Sequence, residues 1–117
     1  METSGLPESL RARMEELAAR PSMQVVRDFL LSHVLDMDGP DEIRADLRSV
    51  ASFGTYWLRQ DLAALESVVA DPPMDDTLAR LVGWEANWVL DDPSDAGAVE
   101  FLRELAQMLR EVIDEAE

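Results

Sequence analysis

The sequence contains no cysteine and no lysine, and His33 is its single histidine. Without cysteine the chain has no disulfide, no thiol nucleophile and no thiolate metal ligand. Aromatic residues make up 6% of the chain, and no apolar run approaches the roughly 18 residues of a membrane span. Residues 1–5 have neither the basic region nor the apolar stretch of a signal peptide, so we expect a cytoplasmic protein that does not enter a membrane.

Basic residues are also few compared with acidic residues. Ten arginines stand against 25 acidic residues, which gives a formal net charge of −15. The imbalance is uneven, because residues 1–60 carry a net charge of −3 and residues 61–117 a net charge of −12. Such a surface repels nucleic acid and anionic membranes, so neither is expected as a partner, and it attracts a basic protein. Arginine as the only basic residue type other than His33 is typical of a GC-rich bacterial genome.

Apolar residues recur at steps of three and four, which predicts an all-α single domain spanning residues 1–117. We expect a bundle of five or six helices with short turns rich in proline and aspartate, and a disordered lead at residues 1–6. The predicted helical regions are 7–19, 22–35, 41–70, 76–90 and 94–115. One helix over 41–70 would be about 45 Å long at about 1.5 Å per residue, so we expect a break near residues 52–54. Asp92 is the expected N-cap of the last helix, followed by Pro93.

The residues that enzymes need are missing, so we predict no catalytic residue, no cofactor and no metal site. His33 lies in an apolar helix without the nucleophile and orienting acid of a triad. Glu111 and Asp114 have half of the acid spacing that holds magnesium in helical nucleotide pyrophosphatases, but no matching pair lies upstream. Residues 36–39 resemble part of a calcium-binding loop. The residues at the first and last ligand positions of that loop would be apolar and could not bind calcium.

The remaining candidate is an acidic surface, most of it in residues 61–117, where aromatic side chains stand among carboxylates. Tryptophan and tyrosine are favoured as anchors of protein interfaces. The candidate partner-binding residues are Tyr56, Asp61, Asp71, Asp75, Asp76, Trp84, Glu85, Trp88, Asp91, Asp92 and Asp95.

Two expectations about geometry accompany this candidate surface. Trp84 and Trp88 are one helical turn apart and should share a face, unless one or both belong to the core. The loops at 71–76 and 91–95 should lie at opposite ends of the fourth helix, about 22 Å apart.

Two segments carry a resemblance to a known class of proteins. Residues 56–62 (YWLRQDL) resemble an aromatic-rich helix with an aspartate, and residues 94–102 (SDAGAVEFL) resemble a closing amphipathic helix. Together they are similar to helical immunity proteins of contact-dependent growth inhibition systems. Those proteins are small acidic cytoplasmic inhibitors that protect a bacterial cell from a nuclease toxin delivered by its siblings. The resemblance implies a one-to-one complex that blocks the active site or substrate surface of a toxin.

Three hypotheses about function follow. The first is an acidic binding protein that neutralises a basic toxin by occluding its active or substrate-binding surface. The second is a regulatory or scaffold module, not catalytic, that acts through an apolar homo- or hetero-oligomeric interface. The third is an enzyme with a magnesium site among the carboxylates. The sequence leaves the partner and the oligomeric state open.

Overall fold

The computed structural model describes residues 21–117, so the predicted lead at 1–6 and the helix at 7–19 lie outside the described residues. The described part is helical and contains no strand, which confirms the predicted all-α bundle. Its helices are α1 (Ser22–His33), α2 (Pro40–Ala51), α3 (Tyr56–Ala70), α4 (Thr77–Arg80) and α5 (Asp95–Ala116). A π-helical segment, Leu81–Glu85, continues directly from α4. None of the described helices is long and apolar enough to cross a membrane.

The predicted break in the region 41–70 is confirmed. α2 ends at Ala51 and α3 begins at Tyr56. Gly54 has a φ of 145°, a conformation that residues with a Cβ rarely adopt. The helical path therefore breaks at this turn, and two shorter helices replace one long one.

Helix α5 forms the centre of the described core. It packs against α2, α3 and α4, and α1 packs mainly on α3. A fully buried leucine stabilises the fold by about 1.5–3 kcal/mol, and α5 supplies three of them. The buried residues of α5 are Ala98, Phe101, Leu102, Leu105, Ala106, Met108, Leu109, Val112 and Ile113.

Four ion pairs join the weakly charged half of the chain to the strongly acidic half. They are Arg27–Glu85, Arg44–Glu111, Arg48–Glu115 and Arg59–Glu117. Exposed pairs of this kind contribute little to stability, so their main effect is to neutralise acidic side chains. The hydrogen bond from Arg48 lowers the pKa of Glu115 below its ordinary 4.5.

The fourth helix differs from the prediction of 76–90. After one turn of α4, the backbone N–H of Ala86 donates to the carbonyl of Leu81, a wider spacing than an α-helix allows. Asn87 then adopts a left-handed φ of 54°, and this ends the helical path. The helical unit is therefore shorter than predicted, because local spacing does not reveal the wider turn.

The expectation that the loops 71–76 and 91–95 lie at opposite ends of the fourth helix is wrong. The side chain of Asp95, in the first turn of α5, accepts a hydrogen bond from the backbone N–H of Asp76 at 2.9 Å. Its second oxygen accepts one from the N–H of Ala79, also at 2.9 Å. N–H groups at the start of a helix have no partner within the helix. Asp95 therefore caps α4 from outside and holds the two loops together.

The N-cap of α5 also differs from the expectation. Ser94, not Asp92, is the N-cap, and its hydroxyl accepts a hydrogen bond from the N–H of Gly97. The Asp92 carboxylate instead accepts from the hydroxyl and the backbone N–H of Ser94. A Cβ on Gly97 would lie 1.8 Å from the Asp92 carbonyl oxygen, so only glycine lets the loop close over the start of α5.

Asp95→Asn should destabilise the fold by about 1–2 kcal/mol, because an amide cannot accept both hydrogen bonds and leaves one helix N–H without a partner. Thermal and urea unfolding measure the effect. Asp114→Asn is the matched control, since it removes the same charge from the exposed far end of α5, where its side chain bonds no backbone group of the described residues. Equal unfolding midpoints for the two variants would contradict the capping role.

Candidate functional site

Two adjacent grooves open where the loops meet, and they share Trp88 and Leu90. One, the α5 groove, has a volume of about 460 Å³ and runs along the start of α5. The other, the α4 groove, has a volume of about 380 Å³ and runs along α4 and the π-helical segment. We call the two grooves together the Trp88 face. Its polar and aromatic lining residues are Asp76, Arg80, Trp84, Trp88, Asp91, Asp92, Glu100, Phe101 and Glu104.

Trp88 forms the wall between the grooves. Its ring stacks on Phe101 of α5, with centroids 5.1 Å apart and planes 22° apart. Phe101 belongs to the buried core, so this contact fixes the tryptophan ring from behind. The half-buried Trp88 thus presents an aromatic surface of defined orientation to both grooves.

Trp84 and Trp88 differ in exposure. Trp84 is 84% exposed, and the neighbouring Val89 is 91% exposed. The wider turn of the π-helical segment and the left-handed backbone of Asn87 interrupt the α-helix between the two tryptophans. A spacing of four residues therefore does not give them the same environment. Both still line the α4 groove, one as its packed wall and the other as an exposed rim.

The carboxylates fall into two groups by residue type. Within residues 21–117, six arginines form ion pairs, and every partner is a glutamate. The aspartates of the two loops form no ion pair with a described basic residue. These loop aspartates are Asp71, Asp75, Asp76, Asp91 and Asp92. Three of them, Asp76, Asp91 and Asp92, line the Trp88 face, which therefore keeps negative charge that no ion pair neutralises.

The α5 groove carries most of this charge. Asp91, Asp92, Glu100 and Glu104 line it, and no basic residue does. Glu100 also pairs with the exposed Arg103 at 2.9 Å, one turn along α5. The hydrogen bonds from Ser94 lower the pKa of Asp92 below its ordinary 3.8. These hydrogen bonds therefore favour the ionised form of Asp92.

The α4 groove is lined by charges of both signs. Arg80 lines it together with Asp76. Arg80 is exposed, and it forms no ion pair within the described part of the chain. The two charges balance, so the α4 groove is close to neutral and its prominent feature is the exposed Trp84.

The structure brings five of the predicted partner-binding residues together on the Trp88 face: Asp76, Trp84, Trp88, Asp91 and Asp92. The others lie elsewhere. Asp71 and Asp75 are exposed in the loop that leads to α4 but line neither groove. Asp95 is half-buried and holds that loop through its hydrogen bonds.

Three predicted residues lie apart from the Trp88 face. Glu85 pairs with Arg27 of α1 at 2.6 Å, so its charge is already balanced within the chain. Tyr56 and Asp61 lie on α3, and Tyr56 is at the opposite end of that helix from Asp71. A helix of 15 residues spans about 22 Å. Tyr56 therefore belongs to a different surface, which also includes Phe53, 92% exposed.

Sequence reasoning missed Glu100, Glu104 and Val89. A signal existed for the two glutamates, because residues four apart lie on one face of a helix. Their helix begins directly after the Asp91–Asp92 loop, so the same face continues the negative surface. Val89 gave no signal, since an isolated valine at the end of a helical pattern resembles a core residue.

Strained backbone surrounds the face. Asp75, Asp76 and Asn87 all have φ values between 54° and 63°, in the left-handed region that costs other residues more than glycine. The first two precede α4, and Asn87 follows the π-helical segment. Backbone strain and π-helical turns are enriched at functional sites, which is consistent with a binding role for this unit.

His33 has a structural explanation. Its Nδ1 lies 2.7 Å from an oxygen of Asp46, which links α1 to α2, and its ring packs at 5.1 Å from that of Phe29. Among residues 21–117, no three histidine, aspartate or glutamate side chains converge closely enough to hold a metal ion.

Comparison of the chain with protein-family models, curated proteins and solved structures finds no significant match.

Proposed function

We propose that this chain is an acidic binding protein that neutralises a basic protein by covering its active or substrate-binding surface. A toxin domain held by its immunity protein is the proposed case. The observation that carries the proposal is the Trp88 face, where exposed apolar side chains stand beside aspartates that form no ion pair with an arginine of the described chain.

The exposed apolar groups favour a protein partner. Trp84 and Val89 expose most of their side chains to water, and burial of apolar surface contributes about 25 cal/mol per Å². A tryptophan at the centre of an interface is a common anchor of binding energy. The ring of Trp88, held by Phe101, adds a rigid surface beside it.

The aspartates favour a basic partner. Charges of one sign around an interface accelerate encounter with a partner of opposite charge and disfavour partners of like charge. Aspartate loses less rotamer freedom than glutamate when a contact fixes it, and Asp92 is already fixed by Ser94. The face is thus partly organised before binding, which reduces the entropy lost in forming a complex.

A nuclease toxin has the complementary chemistry. Enzymes that bind nucleic acid contact its phosphates with lysine and arginine, so their substrate surface is basic. The acidic residues of the Trp88 face, which are Asp76, Asp91, Asp92, Glu100 and Glu104, would compete for that surface. Binding there would exclude the substrate without any chemistry on the part of this chain.

Affinity capture from a lysate of the cells that make the protein tests the proposal. The immobilised wild-type chain at low salt should retain a basic protein and release it as salt increases. The face variant Asp76→Asn/Asp91→Asn/Trp84→Ala should lose about tenfold or more of that retention, since it removes two charges and an anchor. The control variant Asp38→Asn/Asp114→Asn/Phe53→Ala removes the same charges and one exposed aromatic ring elsewhere.

The captured protein then provides the decisive measurement. Its enzymatic activity should be suppressed by an equimolar amount of the wild-type chain or the control variant, but not by the face variant. Equal inhibition by both variants would show that the Trp88 face does not mediate the inhibition. Capture of an acidic protein alone would contradict the proposal that the partner is basic.

A second candidate function is supported by an aromatic patch at the turn between α2 and α3. Phe53, Tyr56 and Trp57 are exposed there, and the rings of Tyr56 and Trp57 meet edge to face at 4.8 Å. Exposed apolar patches often mark protein interfaces. This patch suits a scaffold module that associates through apolar contact.

Light scattering after size-exclusion chromatography separates the two functions. An apolar interface at the patch predicts a dimer whose mass is insensitive to salt and which Phe53→Ser converts to a monomer. A wild-type chain that stays monomeric at the highest soluble concentration contradicts self-association through this patch.

A further inference from the structure

We infer that the α5 groove binds an arginine side chain of the basic partner, with the guanidinium against Trp88 and between the carboxylates that line the groove. This inference rests on the proposed function and deepens it, because it names the group that the face recognises.

The walls of the groove are of two kinds. One is the aromatic ring of Trp88, which is braced by Phe101 and does not need to be ordered on binding. The other consists of acidic side chains from two elements, the loop with Asp91 and the first turns of α5 with Glu104. Its volume of about 460 Å³ lies within the roughly 300–1,000 Å³ of pockets that enclose small groups.

The charge of the groove selects a cation. Four carboxylates and no basic residue line it. Arg103 pairs with Glu100, and both side chains are more than half exposed, where such a pair is weak. An incoming cation therefore displaces little that stabilises the free protein.

The aromatic wall selects arginine over lysine. A guanidinium is planar, stacks on an aromatic ring and donates paired hydrogen bonds to a carboxylate. An ammonium is compact and strongly hydrated, so it gains less from a ring that is only partly shielded from water. A groove lined only by carboxylates would not discriminate between arginine and lysine. A groove that also contains a fixed tryptophan ring favours arginine.

Titration with two capped peptides, hexa-arginine and hexalysine, tests the inference without the natural partner. The indole N–H resonances of Trp57, Trp84 and Trp88 report the position of binding by NMR. We expect the Trp88 resonance to shift most and hexa-arginine to bind about threefold or more tightly than hexalysine. Asp91→Asn/Glu104→Gln should weaken hexa-arginine binding about threefold or more beyond Asp38→Asn/Asp114→Asn, which removes equal charge elsewhere.

The outcomes distinguish this inference from the proposed function. If both double variants weaken binding equally, or if the two peptides bind equally well, the α5 groove is not a specific binding site for arginine. Either result leaves the proposed binding of a basic protein to the acidic face intact. If neither peptide binds at low salt, the inference fails together with the charge argument of the proposed function. All four substituted side chains are exposed, so unfolding is not expected to obscure the comparison.

Discussion

The arrangement of the candidate site depends on one carboxylate. Asp95, in the first turn of α5, accepts hydrogen bonds from the N–H groups of Asp76 and Ala79, and so fastens α4 to the start of α5. Together with the packing of α4 against α5, this cap brings the loops on either side of the α4 unit next to each other. Gly97 completes the arrangement, because its missing Cβ lets the Asp92 backbone lie against α5.

The net charge of −15 is divided in the folded protein according to residue type. Six glutamates are paired with arginines, four of which come from the first half of the chain. Asp76, Asp91 and Asp92 form no ion pair and line the grooves on either side of Trp88. Since a paired glutamate contributes little to the outward field, the effective negative surface is smaller and more localised than composition suggests. A localised field beside an exposed tryptophan is suited to recognition, whereas an even one serves mainly solubility.

The fold was predictable from local pattern, and the site only in part. Steps of three and four placed the helices, and Gly54 marked the break between α2 and α3, because both signals lie within a few residues. The meeting of the loops was not predictable, since the hydrogen bonds of Asp95 join residues 16 and 19 positions apart. The pairing of Glu85 with Arg27 spans 58 positions. Trp88 was a candidate from its type alone, but its stacking on Phe101 is visible only in three dimensions.

The dependence of association rate on salt tests the central claim most directly. Stopped-flow tryptophan fluorescence can follow the chain as it binds the basic protein that it retains. The account predicts that the association rate falls by about tenfold or more between low and high ionic strength, while the dissociation rate changes little. An association rate that is independent of salt would contradict recognition through the acidic Trp88 face.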